Sequence, residues 1–289
     1  MLEEYGKAMR DLREDRGFSL RMVAEGIINP ATLAKFERGE TALSFENLFP
    51  LLSRLNVTVG EFIYQANSFD RNAKVSFFND VTNAYFRDDI TALESMAAKA
   101  ASKIEETPSR LPYDRINLIT IRSAIASLQN TKLSHSDSSF ASDYFLSLSN
   151  LFYYDLLALR FICDFFSTAD TLRLSTSLFA MTRIYSKVGN SAQYVEEIAL
   201  SVVERLIATG KLSDARRIIV LYRREQIISD SVTALLDLKE LGAAIDYIEG
   251  RTSEANTIFK QVIATLRWLS LDQIAKQQIV QWNRLTKTQ

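Results

Sequence analysis

Apolar positions along the chain recur with a helical period. Ile198, Val202 and Leu206 are spaced by one helical turn, as are Ile218, Leu221 and Tyr222, at steps of three and four. From Leu151 to Phe166 the apolar residues are almost continuous, which predicts a helix buried on most sides. Strand-like alternation is not sustained anywhere. Turn residues agree. The only prolines are Pro30, Pro50, Pro108 and Pro112, and no glycine falls between Gly60 and Gly189. Strands joined by tight turns would need more of both. The expected fold class is all-α.

Two segments echo each other near the C-terminus. Gly210-Lys211-Leu212-Ser213-Asp214-Ala215 returns as Gly250-Arg251-Thr252-Ser253-Glu254-Ala255, a pattern of Gly, basic, any, Ser, acidic, Ala. The glycine is expected to end one helix in a left-handed C-cap. The serine is expected to cap the next helix, with the acidic residue near its positive end. The alanine allows close helix approach. A period of about 40 residues fits a unit of two helices, the building block of an α-solenoid.

The first part of the chain reads differently. Tyr5–Arg16 is predicted as a helix closed by Gly17, and Ser19 as the cap of a second helix running through Glu25. After a turn at Gly26–Asn29, a third helix opens with Asn29 as cap and Pro30 at its first position, and ends at Gly39. Ser44 opens a fourth, and Asn56–Phe62 leads into a short fifth. Leu12, Leu20, Val23, Ala24, Leu33, Phe36, Leu48, Leu51, Leu52, Leu55, Val59 and Phe62 would close one small core. Five short helices with a tight turn between the second and third are helix-turn-helix geometry, which pushes one helix into a major groove of double-stranded DNA. A boundary near Ala66–Asp70 separates a helix-turn-helix domain, 1–66, from a domain of TPR-like helix pairs, 67–289.

Composition narrows the chemistry. Hydrophobic residues make up 47% and charged residues 24%, enough for a large core. The acidic, polar N-terminus is not a signal peptide, and no apolar run would span a bilayer, so a cytoplasmic location without membrane association is expected. One cysteine, Cys163, and one histidine, His135, allow no intramolecular disulfide and no Cys/His zinc site. Cys163 is expected to be an inert buried thiol, and His135 to lie in the polar loop Leu133–Ser139. No phosphate-binding loop or nucleophile motif is present, so neither an enzyme nor a cofactor is expected. Residues 1–66 hold two lysines and six arginines against ten acidic residues, a net of −2. DNA binding must therefore rest on a few placed side chains, and a dimer would double them.

The phrase Leu33-Ala34-Lys35-Phe36-Glu37-Arg38-Gly39-Glu40, with Leu51–Phe62, resembles the Cro/phage-repressor type of helix-turn-helix. More narrowly the chain resembles the Rgg family of peptide-responsive regulators of Gram-positive bacteria. Phe36–Glu40, Gly6-Lys7 ahead of Arg10 and Arg13, and the segments Asp143–Leu146 and Tyr153–Leu156 carry that likeness. It implies a homodimeric DNA-binding transcription regulator whose repeat domain senses a short imported signalling peptide, as in quorum sensing. Control by a protein partner or another small ligand is the alternative.

The resemblance implies that Arg13 pairs with Glu37 beside the DNA backbone. Base readout is expected from Asn29, Ala31, Thr32 and Lys35 of the third helix, Lys35 towards guanine and Thr32 towards thymine. Pro30 and Ala31 depart from the polar residues common there and suggest a contribution from DNA shape. Lys7, Arg10, Arg21 and Arg38 are phosphate candidates. For the peptide, the family positions often held by arginine and asparagine fall on Asp164 and Ser201. Tyr153, Tyr154, Arg160, Arg183 and Arg205 are further groove candidates. Asp164 reverses a charge and argues for a ligand with a basic group. Where the family sometimes has a cross-linking cysteine, this chain has Phe45, so no disulfide-linked dimer is expected.

Overall fold

The structure, a computed structural model, describes residues 2–67, 73–182, 191–225 and 231–287, with side chains of 73–75 excepted. Among them the regular structure is helical throughout. The chain divides into two compact units, Met1–Asn79 and Asp80–Gln289.

The first unit contains α1 (Leu2–Asp15), α2 (Leu20–Ala24), α3 (Pro30–Glu37), α4 (Phe45–Arg54) and α5 (Val59–Ala66). Local signals set these ends. Gly17 takes φ +68° after α1, and the Ser19 hydroxyl accepts from Met22 N at 3.2 Å to start α2. Asn29 Oδ1 accepts from Ala31 N at 2.9 Å, with Pro30 at the first position of α3. Thr58 and Glu61 cap α5 reciprocally: Thr58 N donates to Glu61 Oε2 at 2.8 Å and Glu61 N to Thr58 Oγ1 at 3.2 Å. The anticipated core closes, with Leu33, Val23, Leu51, Leu52 and Phe62 essentially inaccessible and Leu20, Leu48 and Val59 packed at its edge. Met9 and Val57 join it.

α6 (Ala73–Phe86) carries the division between the units. The second unit continues with α7 (Ile90–Glu106), α8 (Tyr113–Leu128), α9 (His135–Ser147), α10 (Tyr153–Ile162), a 3-10 turn at Cys163–Phe165, α11 (Thr168–Thr182), α12 (Ser191–Ala208), α13 (Leu212–Arg224), α14 (Val232–Ile248), α15 (Thr252–Trp268) and α16 (Asp272–Thr286). Successive helices pair as a solenoid requires: α7 on α8, α11 on α12, α14 on α15, α15 on α16.

Among the described residues, the repeat recognised at two glycines, with a buried side chain five residues on, occurs at four turns; Asn130 (φ +52°), after α8, makes the same closure without that buried side chain. After α12, α14, α15 and α6 the chain passes through a left-handed residue: Gly210 (φ +72°), Gly250 (+96°), Ser270 (+60°) and Asp88 (+53°). In each, the next N–H returns to the carbonyl five residues back: Lys211 to Leu206, Arg251 to Asp246, Leu271 to Leu266 and Asp89 to Ala84, at 2.8–2.9 Å. This is the Schellman closure of a helix C-terminus. Five residues after the left-handed residue comes a buried side chain, Ala215, Ala255, Ala275 or Leu93. Ser213 and Ser253 are not the helix caps expected of them. The turn already directs Lys211 and Arg251 into the cap position, so the helices begin two residues earlier, at Leu212 and Thr252.

Two further expectations are revised. The apolar stretch 151–166 is not one helix: α10 ends at Ile162, and the 3-10 turn re-aims the chain before Phe166 becomes extended. His135 is not in a loop but opens α9, whose Ser134 hydroxyl accepts from Asp137 N at 3.1 Å. Cys163 is buried, as expected, and its thiol is pushed well above the ordinary range by desolvation.

Candidate DNA interface and ligand groove

In the first unit everything is arranged around α3. Gly6 of α1 lies against its C-terminal end, where a Cβ on Gly6 would sit 2.2 Å from the Phe36 carbonyl oxygen. Arg13, one α1 face further on, donates from Nε and Nη2 to the two carboxylate oxygens of Glu37, both at 2.7 Å. Arg13 Nη1 donates to the Phe18 carbonyl at 2.9 Å and Nη2 also to Glu14 at 3.1 Å. The Arg13 guanidinium pKa is raised, chiefly by the Glu37 hydrogen bonds. Arg13 and Glu37 side chains are only 10% and 4% exposed. Arg13 therefore does not sit at the surface as a phosphate contact would require: its guanidinium is spent inside the domain and orients α3 against α1.

Arg54 was not anticipated. Its Nη1 donates to the carbonyls of Met22, Val23 and Glu25 at the end of α2, with the Val23 bond at 3.0 Å. It satisfies carbonyls that the short α2 leaves open and ties α4 to the helix preceding the recognition turn. The local sequence carries no signal for a contact made across 31 residues.

The outward face of α3 remains available. Asn29, Ala31 and Lys35 are exposed and Thr32 is half-buried. Asn29 commits its Oδ1 to capping, which leaves its amide nitrogen to face outward chemistry. Ala31 and Lys35 lie one turn apart on one face. Arg21 is exposed and Arg10 half-buried. Lys7 is exposed and 3.9 Å from Asp11, a weak pairing. Arg38 is exposed but forked onto Glu40, Nε to Oε1 at 2.6 Å and Nη2 to Oε2 at 2.9 Å. That hydrogen bonding holds the Glu40 carboxyl below its ordinary range, helped by the charge of Lys35. Phe45 is 63% exposed and stacks on Phe49 with centroids 5.8 Å apart.

In the second unit a cavity of about 560 Å³ opens between the end of α8, the start of α9, the 3-10 turn, α12 and α16. Asp164, Glu204, Arg205 and Arg284 line it, with Lys132 and His135 also contributing. A smaller cavity of about 130 Å³ beside it is lined by Tyr85, Phe86, Phe161, Arg160 and Glu197, and shares Ser127 and Asp164 with the first.

The structure brings Asp164 and Ser201 together: the Ser201 hydroxyl donates to Asp164 Oδ1. Asp164 is exposed as a residue and lines the groove, and dense protein around its carboxyl raises the pKa by desolvation, opposed by Ser201 and by the charges of Arg284 and Arg205. Arg205 Nη2 donates to the Phe166 carbonyl at 3.3 Å and Arg284 pairs with Glu204. Arg160 joins Glu197 at 3.3 Å and Thr82, and lies 4.9 Å from the Tyr194 ring centroid. The Nε of Arg160 and of Arg205 are buried without an acceptor among the described residues.

Tyr153 and Tyr154 do not line either cavity. Tyr153 packs on Tyr194 with centroids 5.7 Å apart, and the Tyr154 hydroxyl donates to Asn117 Oδ1 at 2.9 Å, its pKa raised by desolvation. Both work as helix-to-helix packing. The neighbouring Asp155 does likewise, accepting from Phe152 N at 2.9 Å and from the Tyr144 hydroxyl at 2.8 Å. Arg183 lies outside the described residues. No helix among the described residues is long and apolar enough to cross a membrane.

The C-terminal domain model of the HTH-type transcriptional regulator Rgg matches residues 98–278, and a helix-turn-helix model matches residues 9–62. Among solved structures, a candidate transcriptional regulator from Listeria monocytogenes EGD-e superposes with TM-score 0.80 at 16% identity, covering 99% of this chain and 98% of its own. The Streptococcus dysgalactiae SHP pheromone receptor Rgg2 superposes with TM-score 0.79 at 18% identity, covering 97% and 99%. The PrgX/cCF10 complex gives TM-score 0.71 at 12% identity, covering 100% and 94%. At these identities the likeness is one of fold.

Proposed function

The chain belongs to the Rgg family of helix-turn-helix transcriptional regulators, and from that membership we propose that it is a cytoplasmic, homodimeric receptor for a short signalling peptide. Residues 1–66 bind an operator in double-stranded DNA, and 67–289 bind the peptide and dimerise. The observation that carries the DNA half is the mounting of α3. A buried Arg13–Glu37 fork and the Gly6 contact fix its inner side, while Asn29, Ala31 and Lys35 face out, as a helix entering a major groove requires. Lys35 and Thr32 read base edges, and Arg10, Arg21 and Lys7 contact phosphates.

For the ligand half, the support is a groove of peptide-binding size with charged groups on its floor. Two proteins similar in fold are Rgg2, an SHP pheromone receptor, and PrgX, crystallised in complex with cCF10. Co-purification of the protein from its native cell, followed by mass spectrometry of small bound species, tests this reading. Recovery of a peptide is expected; recovery of only a protein partner or a non-peptide metabolite would replace it.

A further inference from the structure

We propose that the second unit holds a separate site for a small organic acid, an apolar body ending in a carboxylate, in a cavity of about 370 Å³ between α13, α14 and α15. The volume is in the range of small-molecule sites. This cavity shares no residue with the two cavities of the groove, so its occupant and a peptide in the groove would bind independently. Its floor is a strip of α14 on which Lys239, Gly242, Ala243 and Asp246 recur at steps of three and four and so share one helix face. Gly242 is the telling member. Glycine is disfavoured inside a helix relative to every residue but proline. Nothing in the fold calls for it here: its φ is not positive, and a Cβ would meet nothing within 4 Å. A helix-interior glycine facing open space at the bottom of a cavity leaves room for a ligand to lie against the backbone.

The walls set the chemistry. Ile219 of α13 and Ile258 and Val262 of α15 make them apolar. Arg223 and Lys239 reach the cavity from α13 and α14. Both are exposed, and neither side chain forms an ion pair or hydrogen bond with a described residue. Asp246, the acid on the lining, is already matched by two arginines: its Oδ1 accepts from Arg216 Nη2 at 2.7 Å and from Arg251 Nη2 at 2.6 Å. The cavity therefore offers two uncommitted cations beside apolar side chains. A carboxylate takes charge-assisted hydrogen bonds from Arg223 and Lys239. Its hydrocarbon leaves water against Ile219, Ile258 and Val262. An alcohol of the same length keeps the apolar contact and forgoes the charge.

Isothermal titration calorimetry of the full chain with octanoate and with 1-octanol tests the site. Octanoate is expected to saturate one site, about tenfold or more tightly than 1-octanol. Arg223→Gln with Lys239→Gln, both at exposed positions, should bring octanoate down to the level of the alcohol. Gly242→Leu, whose side chain would fill the cavity floor, should abolish octanoate binding. It should also raise the melting temperature by about 2–4 °C, because a helix interior prefers leucine. A lower melting temperature in Gly242→Leu would mean that the fold itself requires the glycine, and would overturn the site. So would the absence of saturable octanoate binding to the wild type, or binding as tight as the wild type's in either variant. Loss of the dimer in Gly242→Leu, with no octanoate site in the wild type, would assign the cavity to a second copy of the chain instead.

Discussion

Arg13 and Glu37, on α1 and α3, meet in a two-pronged ion pair with both contacts at 2.7 Å and almost no solvent access. Such a pair contributes less to stability than its geometry suggests, because desolvating two charges offsets most of their attraction. Removing one partner is different, since the other is then buried alone. Arg13→Ala or Glu37→Ala should each destabilise the protein by about 3–5 kcal/mol, whereas Arg13→Met with Glu37→Leu should recover most of that loss. Urea unfolding of the four forms checks this. A double variant as unstable as the singles would mean that the pair's hydrogen bonds to Phe18 and Glu14 matter more than its charge.

The close approach of α1 to α3 at Gly6 gives a second prediction. Alanine in a helix interior is favoured over glycine by about 1 kcal/mol, so Gly6→Ala would normally stabilise α1. Here the new Cβ would lie 2.2 Å from the backbone oxygen of Phe36, which cannot rotate away. Overpacking of this kind costs about 1–3 kcal/mol and should win. Gly210→Ala is the control: nothing lies within 4 Å of its Cβ, and only its φ of +72° opposes the change, a cost of about 1–2 kcal/mol. Gly6→Ala should in addition weaken DNA binding by displacing α3, which Gly210→Ala should not; gel-shift titration alongside thermal unfolding separates the two.

How much of this was legible beforehand depends on whether the determinant was local. Asn29-Pro30, Ser19, Gly17 and Gly39 mark helix ends through their own backbone preferences, and the first unit's core followed from its apolar spacing. Gly210 and Gly250 revealed two solenoid turns because glycine favours the left-handed region. Ser270 and Asp88 make the same turn without glycine and were invisible for that reason. The Arg13–Glu37 pair came only through a family resemblance, since nothing in the spacing of two charged residues announces an ion pair. Arg54, capping α2 from α4, carried no local signal at all. In the groove, Asp164 and Ser201 proved to be neighbours, while Tyr153 and Tyr154, on the same apolar stretch, turned into packing contacts. An aromatic on a buried helix looks alike in either role until its neighbours are known.

A buried acid in α14 predicts how stability responds to pH. Glu240 is fully inaccessible, neither carboxylate oxygen has a hydrogen-bond partner among the described residues, and burial beside Asp237 raises its pKa to about 8. Asp237, which accepts from the Gln278 amide, is raised to about 6 by desolvation. Both pKa values are higher in the folded chain than in the unfolded one, so folding takes up protons. Their contribution is complete below the ordinary carboxyl range and is lost as pH rises through about 6 and then about 8. Thermal unfolding should show the melting temperature falling across that window. Glu240→Gln should flatten its upper part, because the amide cannot ionise. An unchanged slope in that variant would show that Glu240 is not the group responsible.

The electrostatics of α3 yield the last prediction. Residues 1–66 carry a net charge of −2, so each acidic side chain close to the recognition helix matters. Glu40 holds Arg38 in a fork and lies near enough to Lys35 to feel its charge. An exposed pair of this kind adds little to stability, so Glu40→Gln should leave the unfolding midpoint where it is in the wild type. It should nonetheless tighten DNA binding and steepen the dependence of log K on log salt by about one, as Arg38 becomes available to a phosphate. Arg38→Ala should weaken binding to all sequences alike. Lys35→Ala with Thr32→Ala should instead abolish the distinction between operator and random DNA while the fold persists, because those side chains read bases rather than phosphates. Footprinting across a salt series distinguishes the three. If the Lys35/Thr32 double variant kept its operator footprint, α3 would not be the reading helix; if Glu40→Gln left the salt slope unchanged, Arg38 would lie off the DNA.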